Sequence, residues 1–113
     1  MPIKTRRRYI ALKIDSSEKF EQKEFLDALW NAVIRLFGEY GASKTGLALI
    51  GYNMEKGFAI IRVAHTEVEK VRAAIASITE VAAKPVAIHV LAVSGTLKAL
   101  HRKFGAGHQR QSV

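Results

Sequence analysis

The side chains of this chain best suited to chemistry are cations, and the chemistry they suit is attraction to phosphate. Arg6, Arg7 and Arg8 form an unbroken run near one end, and Lys98, Arg102 and Lys103 follow near the other, with Lys4 and His101 beside them. Guanidinium forks match phosphate oxygens, and an ammonium is a compact charge for the same anion. No acid interrupts either group, because all ten Asp and Glu lie between Asp15 and Glu80. The first fourteen residues carry five Lys/Arg, Val81 to Val113 carry five more, and the middle holds eight against ten acids, so the net charge of +8 divides as +5, −2, +5. Segregated charge at a pI near 10.1 points first to nucleic acid. An anionic membrane surface comes second, and a charge that only keeps the chain soluble comes third.

Other chemistry finds little support. With no cysteine there are no disulfides, thiolate metal sites or cysteine nucleophiles, which fits a reducing, cytoplasmic location. His65, His89, His101 and His108 have no metal spacing, and His89, inside an apolar run, reads as a packed core histidine. Ser16, Ser17, Ser43 and Ser94 sit in turns or caps, without a nucleophile elbow. Ser94-Gly95-Thr96 before a helix has the makings of an anion site at a helix N-terminus, but capping is the simpler role. Glu24 and Asp27 read as a solvated helix face. The expectation is a protein with no catalytic residues and no bound metal or cofactor of its own.

These cations need elements to position them. A length of 113 residues with 49% hydrophobic and 25% charged residues fits one globular domain, with no apolar run long enough for a membrane helix and no secretory signal pattern. Arg8 to Ile14 alternates as a strand, and Asp15-Ser16-Ser17 ends it with oxygens suited to capping a helix. From Lys23 to Tyr40, Leu26, Leu29, Trp30, Val33, Ile34 and Phe37 recur with helical spacing, and Gly41 reads as the glycine that stops the helix. Leu47 to Tyr52 and Phe58 to Val63 read as a hairpin around Asn53 to Gly57. Thr66-Glu67-Val68-Glu69 reads as a capping box opening a second helix on Val68, Val71, Ala74, Ile75 and Ile78. Pro85 marks a break, and the nearly continuous apolar run Val86 to Val93 reads as a central strand buried on both faces. Leu97 to Phe104 reads as a third helix with Leu97, Leu100 and Phe104 inward, and 105–113 as a disordered tail after a single domain spanning 1–104.

The order β-α-β-β-α-β-α begins as a ferredoxin-like, α+β split βαβ arrangement, with an antiparallel sheet in the order 4-1-3-2. The fourth strand then ends beside the start of the first. In that topology Arg6, Arg7 and Arg8 lie close to the helix bearing Lys98, Arg102 and Lys103, and the two basic ends form one patch.

The octamer Lys56-Gly57-Phe58-Ala59-Ile60-Ile61-Arg62-Val63 partly matches the RNA-recognition pattern, whose sheet aromatics stack on bases. Ile60 and Val63 replace the aromatics that would stack. Phe58 and Ile60 therefore read as core beneath the third helix, with Tyr9 near its edge.

Several blocks resemble a known family. They are Arg7-Arg8-Tyr9-Ile10-Ala11, Ala28-Leu29-Trp30-Asn31-Ala32, Gly57 through Arg62, and Val93-Ser94-Gly95-Thr96-Leu97-Lys98 with Arg102-Lys103-Phe104. Together they resemble the archaeal ribonuclease P component 2 family, related to the eukaryotic Pop-five subunits. The resemblance implies an α/β sandwich serving the endonuclease that removes the 5′ leader of precursor tRNA. It also implies that the catalytic centre belongs to the RNA, with Mg²⁺. The implied partners are ribonuclease P RNA, precursor tRNA, component 3 and a second copy within a heterotetramer, and no membrane. Lys4, Arg6, Arg7, Arg8, Lys98, His101, Arg102 and Lys103 are the expected RNA-backbone contacts. Two other readings stay open: a ribosomal or sheet-face RNA binder, and a ferredoxin-like small-ligand or regulatory domain.

Overall fold

The computed structural model describes residues 6–100. Its main sheet has four strands: β1 (Arg7–Asp15), β2 (Ala48–Asn53), β3 (Phe58–Ala64) and, after a small hairpin, β6 (Ala87–Ser94). They pair in the order β2-β3-β1-β6, all antiparallel. This is the expected 4-1-3-2 arrangement. β1 is central because its alternation serves two cores. Ile10, Leu12 and Ile14 enter the large one, while Tyr9 and Ala11 belong to the small one on the opposite face.

Helices α1 (Gln22–Ser43) and α2 (Val68–Ala76) cover the large core. α1 buries Phe25, Leu29, Ala32 and Val33, so its inner stripe lies slightly to one side of the expected one, and Ile34 is exposed. Asp15-Ser16-Ser17 does not cap it. Glu21 does, with its amide donating to Glu24 Oε1 at 3.0 Å, while Ser16 Oγ donates to the Pro85 carbonyl at 2.8 Å. Nor does Gly41 end the helix. The break comes at Gly38, with φ of 77°, and a short turn resumes to Ser43. Gly41 sits inside that turn, where an added Cβ would approach the Phe37 Cβ to 2.9 Å. Its value is close approach rather than positive φ.

β2 and β3 form the expected hairpin, with Asn53 Oδ1 accepting from the Lys56 amide at 3.0 Å. The Thr66 capping box does not form. A 3₁₀ turn occupies His65–Glu67, Glu67 becomes the residue before α2, and the Thr66 hydroxyl turns to the Glu67 carboxylate at 3.3 Å. Pro85 belongs to the small hairpin of β4 (Glu80–Val81) and β5 (Lys84–Pro85), turned by Ala82 and Ala83 at φ 53° and 66°.

β6 departs most from expectation. It is an edge strand, not a central one, and its burial alternates; His89 is exposed rather than packed in the core. Leu91 and Val93 are exposed as well, at 42% and 36%. Continuous apolar sequence reflects double burial only when both faces and both edges are covered. Among the described residues, α3 (Leu97–Leu100) covers part of the second face, where Leu97 and Leu100 pack with Ala11, Ile60 and Ala92. Phe58, Ile60 and Tyr9 join that small core, as expected. The rest of the expected third helix and the tail 105–113 lie outside the described residues.

Candidate nucleic-acid interface

Alternation along β1 separates the three arginines. Arg7 falls on the face of Tyr9 and Ala11, and Arg8 on the face of Ile10 and Leu12. The run therefore straddles the end of the sheet instead of forming one stripe. Arg6 and Arg7 are exposed, and Arg8 is half-buried.

The register Tyr9↔Ser94 brings the start of β1 against the turn into α3. Arg8 makes that junction physical. Its Nη1 lies 3.6 Å from where a Cβ on Gly95 would sit, and it donates to the Arg7 carbonyl at 3.3 Å. The Arg8 guanidinium thus lies against the Gly95 backbone at van der Waals distance. Ser94 and Thr96 act as caps. Ser94 Oγ accepts from the Thr96 amide at 3.3 Å, and Thr96 Oγ1 accepts from the Ala99 amide at 3.1 Å. Lys98 is exposed on the same short helix. The structure therefore brings Arg6, Arg7, Arg8 and Lys98 to one end of the sheet. Lys4, His101, Arg102 and Lys103 lie outside the described residues.

Ion pairs occur at the other end of the strands and, among the described residues, not at these four cations. Among the described residues, no carboxylate lies within ion-pair distance of Arg6, Arg7, Arg8 or Lys98. At the far end of the strands, Lys19 pairs with Glu55, and Lys84 lies 3.9 Å from Glu18. Cations left without counter-ions at one end are available to a polyanion.

Two residues at the basic end escaped the sequence reading. The His65 amide donates to the Arg6 carbonyl at 2.8 Å, with Nδ1 3.4 Å from the same oxygen. Arg62 stands opposite Tyr9 in the β1–β3 ladder. Only the strand register reveals either neighbour, since both lie in the acid-rich middle of the chain.

Among the described residues, no group of three or more His, Cys, Asp or Glu could hold a metal ion, and no helix is long and apolar enough to cross a membrane. Glu24 and Asp27 are exposed on α1, where they line a cleft of 460 Å³ with Arg35, Glu80 and the Ala82–Ala83 turn.

Comparison with known proteins agrees with the fold. The Rpp14/Pop5 family model matches residues 8–105. The chain is 35% identical over 102 residues to Ribonuclease P protein component 2 of Pyrococcus furiosus, covering 90% of this chain and 85% of that protein. Its identity to the protein of the same name from Methanosarcina mazei is 30%, covering 90% and 86%. Among solved structures, a chain of yeast ribonuclease MRP superposes with a TM-score of 0.69 at 18% identity, covering 99% of this chain and 97% of that one. That likeness carries the fold.

Proposed function

The chain belongs to the Rpp14/Pop5 family, and on that premise we propose that it is a protein subunit of ribonuclease P, supporting the RNA that removes the 5′ leader of precursor tRNA. The observation that carries the mechanism is the junction of Arg8 with Gly95. It joins the two basic segments into one surface whose described cations have no acid partner. Such a surface binds RNA by displacing condensed counter-ions, and it positions the backbone without reading sequence. Arg6, Arg7, Arg8 and Lys98 make these contacts, with Lys4, His101, Arg102 and Lys103 extending them.

The protein contributes no cleaving group in this reading; the chemistry lies with the RNA and its Mg²⁺. Component 3 is its protein partner, a second copy of the chain joins it in the assembly, and the work is done in the cytoplasm. Exposed apolar side chains such as Leu36 and Tyr40 on α1, the latter 75% exposed, support a protein partner. The burial of Ile60 under α3 argues against base stacking on the sheet.

The test is reconstitution. Ribonuclease P RNA and component 3 are assayed for leader cleavage with and without this chain over a Mg²⁺ series. Adding the chain should speed cleavage and lower the Mg²⁺ demand. If neither changes, the reading fails.

A further inference from the structure

Arg62 occupies the variable position of the octamer Lys56–Val63, so the segment that lacks stacking aromatics delivers a charge to the same sheet face. Three observations make that charge unusual. Its Nε is buried and has no hydrogen-bond partner. No carboxylate among the described residues lies within ion-pair distance of it. Its diagonal neighbour across the ladder is Arg7, because Arg7 pairs with Ala64 and Tyr9 with Arg62. Diagonal neighbours on one face stand roughly 7–8 Å apart at Cα, so two guanidinium groups share one corner of the sheet.

Like charges in such a corner repel, and a buried N–H without an acceptor is left unfavourable. One anion would relieve both. On the β2 side, Arg62 stands opposite the small side chain of Ala48. On the β1 side stands the half-buried Tyr9, which packs against the small core of Ala11, Ile60 and Leu100. The half-buried Arg62 is thus within reach of a ligand arriving at the end of the sheet.

We propose that Arg62 and Arg7 form a phosphate subsite on the α3 side of the sheet, taking a phosphodiester of the RNA that the Arg8–Gly95 junction engages at the sheet end. The incoming phosphate draws the Arg62 fork outward and supplies the acceptor its Nε lacks. The subsite rests on the RNA-binding reading above and extends it from the strand end onto the sheet face. It carries no base specificity, since only charge and the fork are involved.

The full-length chain and its Arg62→Ala variant are titrated with a ribonuclease P RNA transcript by fluorescence anisotropy over a salt series, with thermal unfolding of each alongside. Arg8→Ala is measured as the reference. Arg62→Ala should lose roughly tenfold in affinity, the size of one charge-assisted contact. It should also lower the slope of log affinity against log salt by about 1. Its unfolding midpoint should not fall, because the variant removes an unpartnered donor. Should Arg62→Ala fail to fold, Arg62→Gln is read by the same criteria. A folded Arg62 variant with unchanged affinity and slope, beside a weakened Arg8→Ala, overturns the subsite and leaves the RNA-binding reading standing. If the wild-type chain does not bind the transcript, both fall.

Discussion

At Gly57 the backbone has φ of 63°, and an added Cβ would lie 2.5 Å from the Ile14 carbonyl oxygen. The same two residues are joined by the Ile14 amide donating to the Gly57 carbonyl at 2.7 Å, so neither strand can retreat without losing that bond. Gly57→Ala therefore combines a left-handed backbone with a backbone clash and should cost about 2–4 kcal/mol. Urea unfolding measures it, and wild-type stability in the variant would contradict this geometry. Tyr52 is a second constrained residue. Its hydroxyl donates to the Phe20 carbonyl and its ring stacks on Phe25 at 5.3 Å. Burial raises the phenol pKa above its ordinary 10.0, and the Glu24 carboxylate adds to the rise. The folded state therefore holds this proton more tightly than the unfolded chain. That stabilisation is complete below the unfolded value near pH 10 and is lost as pH rises through the folded value. Tyr52→Phe should cost about 0.5–1.5 kcal/mol at neutral pH, and its unfolding midpoint should fall less steeply than wild type's above pH 10. Parallel alkaline profiles would rule out the Tyr52 contribution.

The elements follow from periodicity wherever one face is buried against one layer. Period two placed β1, the hairpin reading placed β2 and β3, helical spacing placed α1 and α2, and strand order followed from right-handed crossovers. Periodicity was silent on the small hairpin. Ala82 and Ala83 both have positive φ in a two-residue turn, where Asn-Gly is the usual pair and alanine gives no signal. It also misled at β6, since an apolar strand reads alike whether it is central or at an edge. At α1 it could not choose between Gly38 and Gly41, because one glycine is needed for its φ and the other for its missing Cβ. The alanine turn carries a testable cost. Replacing Ala82→Asn and Ala83→Gly together relieves two left-handed alanines and should raise stability by about 1 kcal/mol or more. For a chain of this size that is roughly 4 °C in Tm. A double variant that melts at or below the wild-type temperature would show that the hairpin is not strained.

Across the whole molecule, antiparallel register turns a charge pattern along the chain into a polarity in space. The cations of both termini were legible in the sequence, and strand order sufficed to bring Arg8 to Gly95. Arg62 was not legible, because it lies among acids in sequence and beside Arg7 only through the β1–β3 register. The opposite end of the sheet pairs two of its cations, Lys19 with Glu55 and Lys84 with Glu18, while Lys13 there donates to the Lys56 carbonyl. This polarity predicts that two sets of neutralised cations behave differently. RNA affinity falls with salt at a slope of about 0.9 for each phosphate neutralised on a duplex and about 0.7 on a single strand. Changing Arg7, Arg8, Lys98 and Arg102 together to alanine should therefore flatten the slope by roughly 3 and weaken binding at low salt far more than at high salt. The pair Lys19→Ala and Lys84→Ala removes charge from the other end and should leave the slope unchanged. Net charge alone would make the slope follow the number of cations removed, whichever end they come from. Equal loss per charge at both ends would mean that the chain attracts RNA as a diffuse polycation. Loss confined to the Arg8–Gly95 end requires an oriented surface, with the far end turned away from the RNA.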